Sequence, residues 1–106
     1  MTVETIRDQL PDYARDLKLN LGSVLTTQGA PGLSETHIAS IALATAIAAR
    51  NPELVRAIES WAQPHLDAAH LQAARSAAAI MGMNNIYYRF LHLVQDAEYH
   101  TMPARL

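Results

Sequence analysis

The most extended apolar pattern of the chain lies in residues 73–90, AARSAAAIMGMNNIYYRF. Apolar positions recur there every three or four residues, which is the spacing of one face of an α-helix. The face is wider than a coiled-coil seam and therefore predicts burial against several neighbours. Gly82 and the alanines at 77–79 would let a neighbour come close. The members of the face are Ala73, Ala77, Ile80, Met83, Asn84, Tyr87, Phe90, Leu91 and Val94.

A small polar cluster interrupts this face and is the only candidate site that the pattern offers. A buried amide needs hydrogen-bond partners, so Asn84 predicts a close neighbour that supplies them. One interpretation is a buried hydrogen-bond network that holds two helical halves together. The other is that some of these side chains line a pocket completed by another half. The cluster consists of Asn84, Asn85, Tyr87, Tyr88 and Arg89.

Capping signals divide the chain into further helices within one all-helical domain, residues 1–106. Thr2, Ser34, Asn51 and Asp67 each stand where a helix N-cap is expected, and Pro52 follows Asn51 at a favourable first position. The predicted elements are short helices within 2–27, core helices at 34–50, 52–63 and 67–94, and a tail at 95–106 that lacks a clear period. A tail of this kind would be poorly ordered alone.

The segment 37–49, HIASIALATAIAA, is apolar on almost every side of its predicted helix. A helix of that kind is buried on most sides. A chain of 106 residues can hardly supply so much cover from within. The surplus of apolar surface therefore indicates a second domain, a missing half or an oligomer.

Composition narrows the fold class and excludes several functions. Half of the residues are hydrophobic but only 6% are aromatic, and alanine is abundant, which favours closely packed helices over a sheet. The net charge of −2 offers no basic patch for nucleic acid. No apolar run is long enough to span a membrane, and the start MTVETIRDQL lacks the features of a secretory signal, so we expect a cytoplasmic protein.

Neither cysteine nor histidine chemistry is predicted for this chain. The sequence contains no cysteine, which excludes disulfides and thiolate nucleophiles within it. No two of the five histidines have the i,i+4 spacing of paired metal ligands, so we expect surface or capping histidines, no metal site and no cofactor. These histidines are His37, His65, His70, His92 and His100.

Three segments resemble a known family: DYARDLKLNLGSVL, AARNPELV and above all AAAIMGMNNIYYRF. They are similar to the N-terminal half of the alkyl hydroperoxidase D proteins, which belong to the carboxymuconolactone decarboxylase superfamily. The resemblance implies an all-helical fold of two repeats, usually assembled as a trimer. It also implies a thiol peroxidase that reduces alkyl hydroperoxide reductase C and takes electrons from lipoyl-bearing dehydrogenase subunits. The family's catalytic centre is a CxxC motif with a nearby Glu and His.

The chain departs from the family at the catalytic centre, because the CxxC, the Glu and the His belong to the second half, beyond Leu106. No catalytic residue of the family therefore transfers to this sequence, and we expect no peroxidase activity from it alone. Two hypotheses follow. The chain is either the structural, non-catalytic half of such an enzyme, completed by a following or separate catalytic half, or a stand-alone helical interaction module that associates with itself and has no redox role.

Overall fold

The computed structural model describes residues 1–103, and the prediction of an all-α fold is confirmed. Residues 1–103 contain no β-strand. Three short 3-10 turns lie at Asp12–Ala14, Gln63–His65 and Ala97–His100. The α-helices are α1 (Val3–Gln9), α2 (Arg15–Val24), α3 (Glu35–Ala48), α4 (Pro52–Ala62) and α5 (Ala68–Val94).

Side-chain caps begin four of the five helices, at the positions that the sequence predicts. The side chains of Thr2, Ser34, Asn51 and Asp67 each accept a hydrogen bond from a backbone N–H in the first turn that follows. The Asp67 carboxylate accepts from the backbone N–H of His70 at 2.8 Å. Each cap satisfies N–H groups that have no partner within the helix, so the boundaries are encoded locally.

Helix α3 is the centre of the core, with α4 and α5 packed against it and α1 packed on α4. Leu43 of α3 is fully buried and forms one apolar cluster with Val3, Ala46, Ile58 and Ala74. The expectation that α3 is buried on most sides is only partly correct. One side of α3 remains open, since Ile41 is 52% exposed.

Helix α2 lies within the predicted range 2–27 but apart from the core. A 3-10 turn occupies the positions after Pro11, and the α-helix begins only at Arg15. Helix α2 packs against α1 and the 3-10 turn and makes no comparable contact with α3 or α4. The apolar side chains of α2 and of the turn before it consequently differ in burial: Leu21 is half-buried, whereas Leu17 is 64% exposed and Tyr13 is 93% exposed.

Most of the predicted apolar face of α5 is exposed within this chain, although its member Leu91 is buried. Helix α5 has 27 residues and is about 40 Å long, whereas α3 has 14 residues and is about 21 Å long. Helix α3 can therefore cover only half of α5. The side of α5 that packs towards it carries Leu71, Ala74 and Ala78. The wider face predicted from the sequence points elsewhere, with Ile80 51% exposed and Met83 60% exposed.

The chain as a whole is extended for its size. Its radius of gyration is 17.2 Å, whereas a compact domain of 106 residues has roughly 13 Å. Its accessible surface is 8006 Å², whereas a compact monomer of 11.6 kDa exposes about 5,800 Å². The difference is surface that a single closed core would have covered.

The tail, predicted to be poorly ordered alone, turns back onto α5. Gln95 takes the left-handed conformation, with φ of 52°, and ends the helix. The Tyr87 hydroxyl donates a hydrogen bond to the backbone carbonyl of Tyr99 at 3.3 Å. The rings of Phe90 and Tyr99 meet edge to face with centroids 5.4 Å apart. Residues 104–106 of the predicted tail lie outside the described residues.

We predict that Leu43→Ala lowers the free energy of unfolding by about 2–5 kcal/mol, because it leaves a cavity at the centre of the core. Leu19→Ala is the matched control. Leu19 is 63% exposed, so we expect a loss below about 1 kcal/mol. Urea denaturation followed by circular dichroism measures both values. Equal losses for the two variants would contradict the position of the core.

The cap of α5 predicts a pH dependence. The backbone N–H and the side chain of His70 donate hydrogen bonds to Asp67 and hold the pKa of its carboxyl below the usual 3.8. A lowered folded-state pKa stabilises the protein above pH 3.8, and this contribution disappears as the pH falls through the folded-state pKa. A carboxyl NMR titration should show Asp67 titrating below 3.8, and a value at or above 3.8 would contradict the cap.

Candidate functional site

An open groove lies between the C-terminal end of α3 and the middle of α5. Its volume is about 710 Å³. Five alanines from the two helices line it, and Gly82 adds to the open space because a Cβ placed there meets nothing within 4 Å. The polar side chains along the groove are Thr45, Arg50, Arg75 and Asn85. A floor of small residues allows another polypeptide to approach the two helices closely.

Two arginines of the groove were missed by the sequence analysis. Arg50 has φ of 62°, a left-handed conformation that glycine usually occupies after a helix end. The sequence could have indicated this turn, because Arg50 lies between Ala49, the last residue of the apolar run, and the N-cap Asn51. The chain must change direction between these two helices. Arg75 on α5 forms an ion pair with Glu59 of α4 at 2.5 Å and fixes the edge of the groove.

The predicted polar cluster does not form one hydrogen-bonded site within this chain. Asn84 is half-buried and not fully buried, and Asn85 is exposed in the groove. Tyr87 reaches the tail, while Tyr88 is 63% exposed and Arg89 is exposed. Successive helical positions point in different directions, so these five side chains spread around α5. Their predicted role at a pocket or between two halves stays a prediction.

The distal half of α5, residues 80–94, carries a run of exposed apolar side chains. Most of its side chains are large and apolar, and they are exposed on more than one side of the helix. Monomeric proteins rarely expose a contiguous apolar patch of this kind unless it is a binding surface. The exposed members are Ile80, Met81, Met83, Ile86, Tyr87, Tyr88, Phe90, Leu93 and Val94. We call them the distal α5 surface.

Two histidines of the described residues lie beside a carboxylate. His65 lies 3.5 Å from the Glu35 carboxylate, and His70 lies 2.8 Å from Asp67 at the start of α5. Among residues 1–103 no three His, Cys, Asp or Glu side chains converge to hold a metal ion. The groove and the distal α5 surface offer small and apolar side chains that another polypeptide can cover.

No helix within residues 1–103 is both long enough and apolar enough to cross a membrane.

Relatives with closely similar sequences carry one shared name. The chain is 53% identical to alkyl hydroperoxide reductase AhpD of Coxiella burnetii over 104 residues, which cover 98% of this chain and 59% of that protein. It is 53% identical to AhpD of Rhodospirillum centenum over 106 residues, covering all of this chain and 55% of the relative. AhpD of Rhodopseudomonas palustris is 49% identical over 106 residues, which cover 57% of it. No protein family model matches the chain.

The described residues form an all-helical fold with an exposed apolar surface, and the sequence contains no cysteine. The relatives specify the family further. The chain belongs to the alkyl hydroperoxide reductase AhpD family, an antioxidant family, and it spans little more than half the length of the relatives it matches. The resemblance inferred from the MGMNN and YYR segments is thereby confirmed.

We predict that Gly82→Ala raises the free energy of unfolding of this chain by about 0.5–1 kcal/mol, because alanine is the better helix former and its Cβ has free space. Gly29→Ala is the control. A Cβ at Gly29 would clash with the Ser23 carbonyl oxygen, so we expect destabilisation there. Denaturant titration measures both variants, and a destabilised Gly82→Ala would contradict the open groove.

Proposed function

We propose that this chain is the structural, non-catalytic half of an AhpD-type thiol peroxidase, and that a following or separate half carries the CxxC centre. The observation that carries the proposal is the distal α5 surface, which is apolar and uncovered in a chain that spans 55–59% of its relatives. The remaining two fifths of such a relative is a polypeptide of suitable size to cover it.

The size of the exposed surface supports an obligate partner. The chain exposes about 2,200 Å² more than a compact monomer of its mass. A standard interface buries about 800 Å² on each partner, and obligate interfaces bury considerably more. The excess therefore falls in the range of an interface that is part of the folding of the protein, and not in the range of a transient contact.

The chemistry of the family assigns the reaction to the other half. Reduction of a hydroperoxide by this route needs a thiolate that attacks the O–O bond and a second thiol that resolves the sulfenic acid. Residues 1–106 contain no cysteine. Within the complete enzyme this half would complete the helical core and contribute Asn84, Asn85 and the neighbouring tyrosines to the wall of the active-site pocket.

The complete enzyme defines the proposed partners. The resemblance implies that the catalytic half accepts electrons from lipoyl-bearing dehydrogenase subunits and reduces alkyl hydroperoxide reductase C. It also implies a trimer and a cytoplasmic location. In this proposal the chain itself supplies contact surface to the assembly and leaves the electron transfer to the other half.

Reconstitution tests the proposal. The segment of Coxiella burnetii AhpD that this chain does not match would be co-expressed with residues 1–106. We expect the two polypeptides to purify together and to show lipoamide-dependent peroxidase activity, whereas residues 1–106 alone stay at background. Peroxidase turnover by residues 1–106 alone would contradict the proposal. A catalytic segment that does not co-purify with this chain would contradict it as well.

Two matched variants locate the contact. Met83→Glu places a charge on the distal α5 surface and should abolish co-purification, because a buried unpaired charge is strongly unfavourable. Leu19→Glu places the same charge on an equally exposed position, 63% against 60%, on a different helix and should leave co-purification unchanged. Equal behaviour of both variants would show that the distal α5 surface is not the contact.

A further inference from the structure

Positive charge is concentrated in an open pocket between α1 and α2. The two helices pack on each other, and the volume between them is about 620 Å³. Arg7 of α1 and Arg15 and Lys18 of α2 line this space. They are three of the seven lysines and arginines in residues 1–103, so the cations of the chain are gathered here and not spread evenly. We call this space the α1–α2 pocket.

The geometry of the two helices brings the three cations together. Arg15, Lys18 and Gly22 are spaced by three and four residues and therefore share one face of α2. Arg7 reaches over the same face from α1, because a Cβ at Gly22 would lie only 3.3 Å from its Nη1 atom. The absence of a side chain at Gly22 thus gives the guanidinium its place. Arg7 and Lys18 are half-buried there.

The carboxylates near these cations do not neutralise them. Within residues 1–103, neither Arg15 nor Lys18 forms an ion pair. Arg7 has Asp8 beside it, but the distance from Nε to the carboxylate is 3.8 Å, which is longer than a hydrogen bond. Asp12 is the one carboxylate that lines the pocket. Three positive charges and one negative charge therefore leave a balance of two positive charges.

We propose that the α1–α2 pocket binds a small phosphomonoester. A phosphomonoester carries a charge of about −1.5 to −2 at pH 7, which matches the balance of two positive charges. A single carboxylate carries about half of that charge. The guanidinium groups of Arg7 and Arg15 present N–H donors in the planar arrangement that phosphate oxygens accept, and Lys18 adds a compact positive charge.

The rest of the pocket accommodates the organic part of the ester. Leu10, Pro11 and Leu19 form its apolar wall, and Leu19 is 63% exposed. Pockets for small molecules have volumes of about 300–1,000 Å³, and this pocket lies within that range. Inorganic phosphate alone would leave the apolar wall in water. The ligand is therefore a phosphate attached to an apolar group that covers these three side chains.

A titration followed by NMR tests the site with phenyl phosphate as the probe. Residues 1–106 would be titrated with phenyl phosphate, inorganic phosphate and benzoate at constant ionic strength, because salt screens exposed charges. The amide signal of Gly22 and the Nε–H signals of Arg7 and Arg15 report on the pocket. We expect phenyl phosphate to bind about tenfold more tightly than inorganic phosphate, since part of its ring leaves water. We expect benzoate to bind more weakly than phenyl phosphate.

Each other result of this titration would overturn the proposal. Equal affinity for phenyl phosphate and benzoate would show that the charge of a phosphate is not recognised. Equal affinity for phenyl phosphate and inorganic phosphate would show that the apolar wall takes no part. Shifts that do not saturate would show that no site exists.

Three variants separate the site from a general effect of charge or stability. Lys18→Gln should weaken phenyl phosphate binding about tenfold, as expected for the loss of one charged hydrogen bond. Asp12→Asn should strengthen binding several-fold, because it removes the one repelling carboxylate of the pocket, and a loss of folding cannot produce this gain. Arg56→Gln removes the same charge as Lys18→Gln from an exposed position on α4 and should leave binding unchanged. Weaker binding by Asp12→Asn, or equal losses in Lys18→Gln and Arg56→Gln, would contradict the site.

The proposed phosphate site does not rest on the proposed function. The residues that line the α1–α2 pocket belong neither to the groove between α3 and α5 nor to the distal α5 surface. Met83→Glu should therefore leave phenyl phosphate binding unchanged while it abolishes co-purification with the catalytic half. Lys18→Gln should have the opposite pair of effects. Failure of one proposal is thus distinguishable from failure of the other.

Discussion

The packing of α3 against α5 is the interaction on which the rest of the structure depends. Leu43, Ala46 and Ala74 close the contact, and α4 and α1 are added to it from the other side. The two helices differ in length by about 20 Å, so the contact ends near the middle of α5. The exposure of the distal α5 surface follows from this difference in length.

In the proposed enzyme, structural support and catalysis belong to different halves. Apolar side chains stabilise a protein when they leave water, at about 25 cal/mol per Å². A chain that leaves Ile80, Met83 and Phe90 in water forgoes that contribution until another polypeptide covers them. The same chain has no cysteine, and its relatives are named alkyl hydroperoxide reductase AhpD. The proposed division of labour, in which this half supplies surface and the other half supplies sulfur, accounts for both observations together.

Local features of the fold were predictable from the sequence, and features that depend on partners were not. The caps at Ser34, Asn51 and Asp67 depend on neighbouring backbone groups alone, so the helix starts followed from the residues. The orientation of α5 did not follow, because a face as wide as 73–94 allows several neighbours and the sequence pattern does not say which one is α3. The separation of α2 from the core did not follow either, because the spacing of its apolar residues is the same as in a helix that packs on the core.

The candidate site shows the same limit. The sequence pattern showed Asn84 and Asn85 as polar residues that interrupt an apolar face. Hydrogen-bond partners for their side chains are not found among the hydrogen bonds that residues 1–103 form. The left-handed conformation of Arg50 was not predicted, because a left-handed residue after a helix is usually a glycine. Arg50 lies between the end of one predicted helix and the N-cap asparagine of the next. The turn at Arg50 can be predicted only when both of these helix boundaries are considered.

Footprinting of Met83 tests the central claim most directly. The chain alone and its complex with the catalytic segment would be exposed briefly to hydroxyl radicals, and methionine oxidation would be measured by mass spectrometry. Met1, which is 56% exposed, serves as the internal reference for Met83, which is 60% exposed. We expect similar oxidation of both residues in the chain alone and strong protection of Met83 in the complex, with Met1 unchanged. Equal oxidation of Met83 in both samples would contradict the claim that the distal α5 surface is covered by the catalytic half.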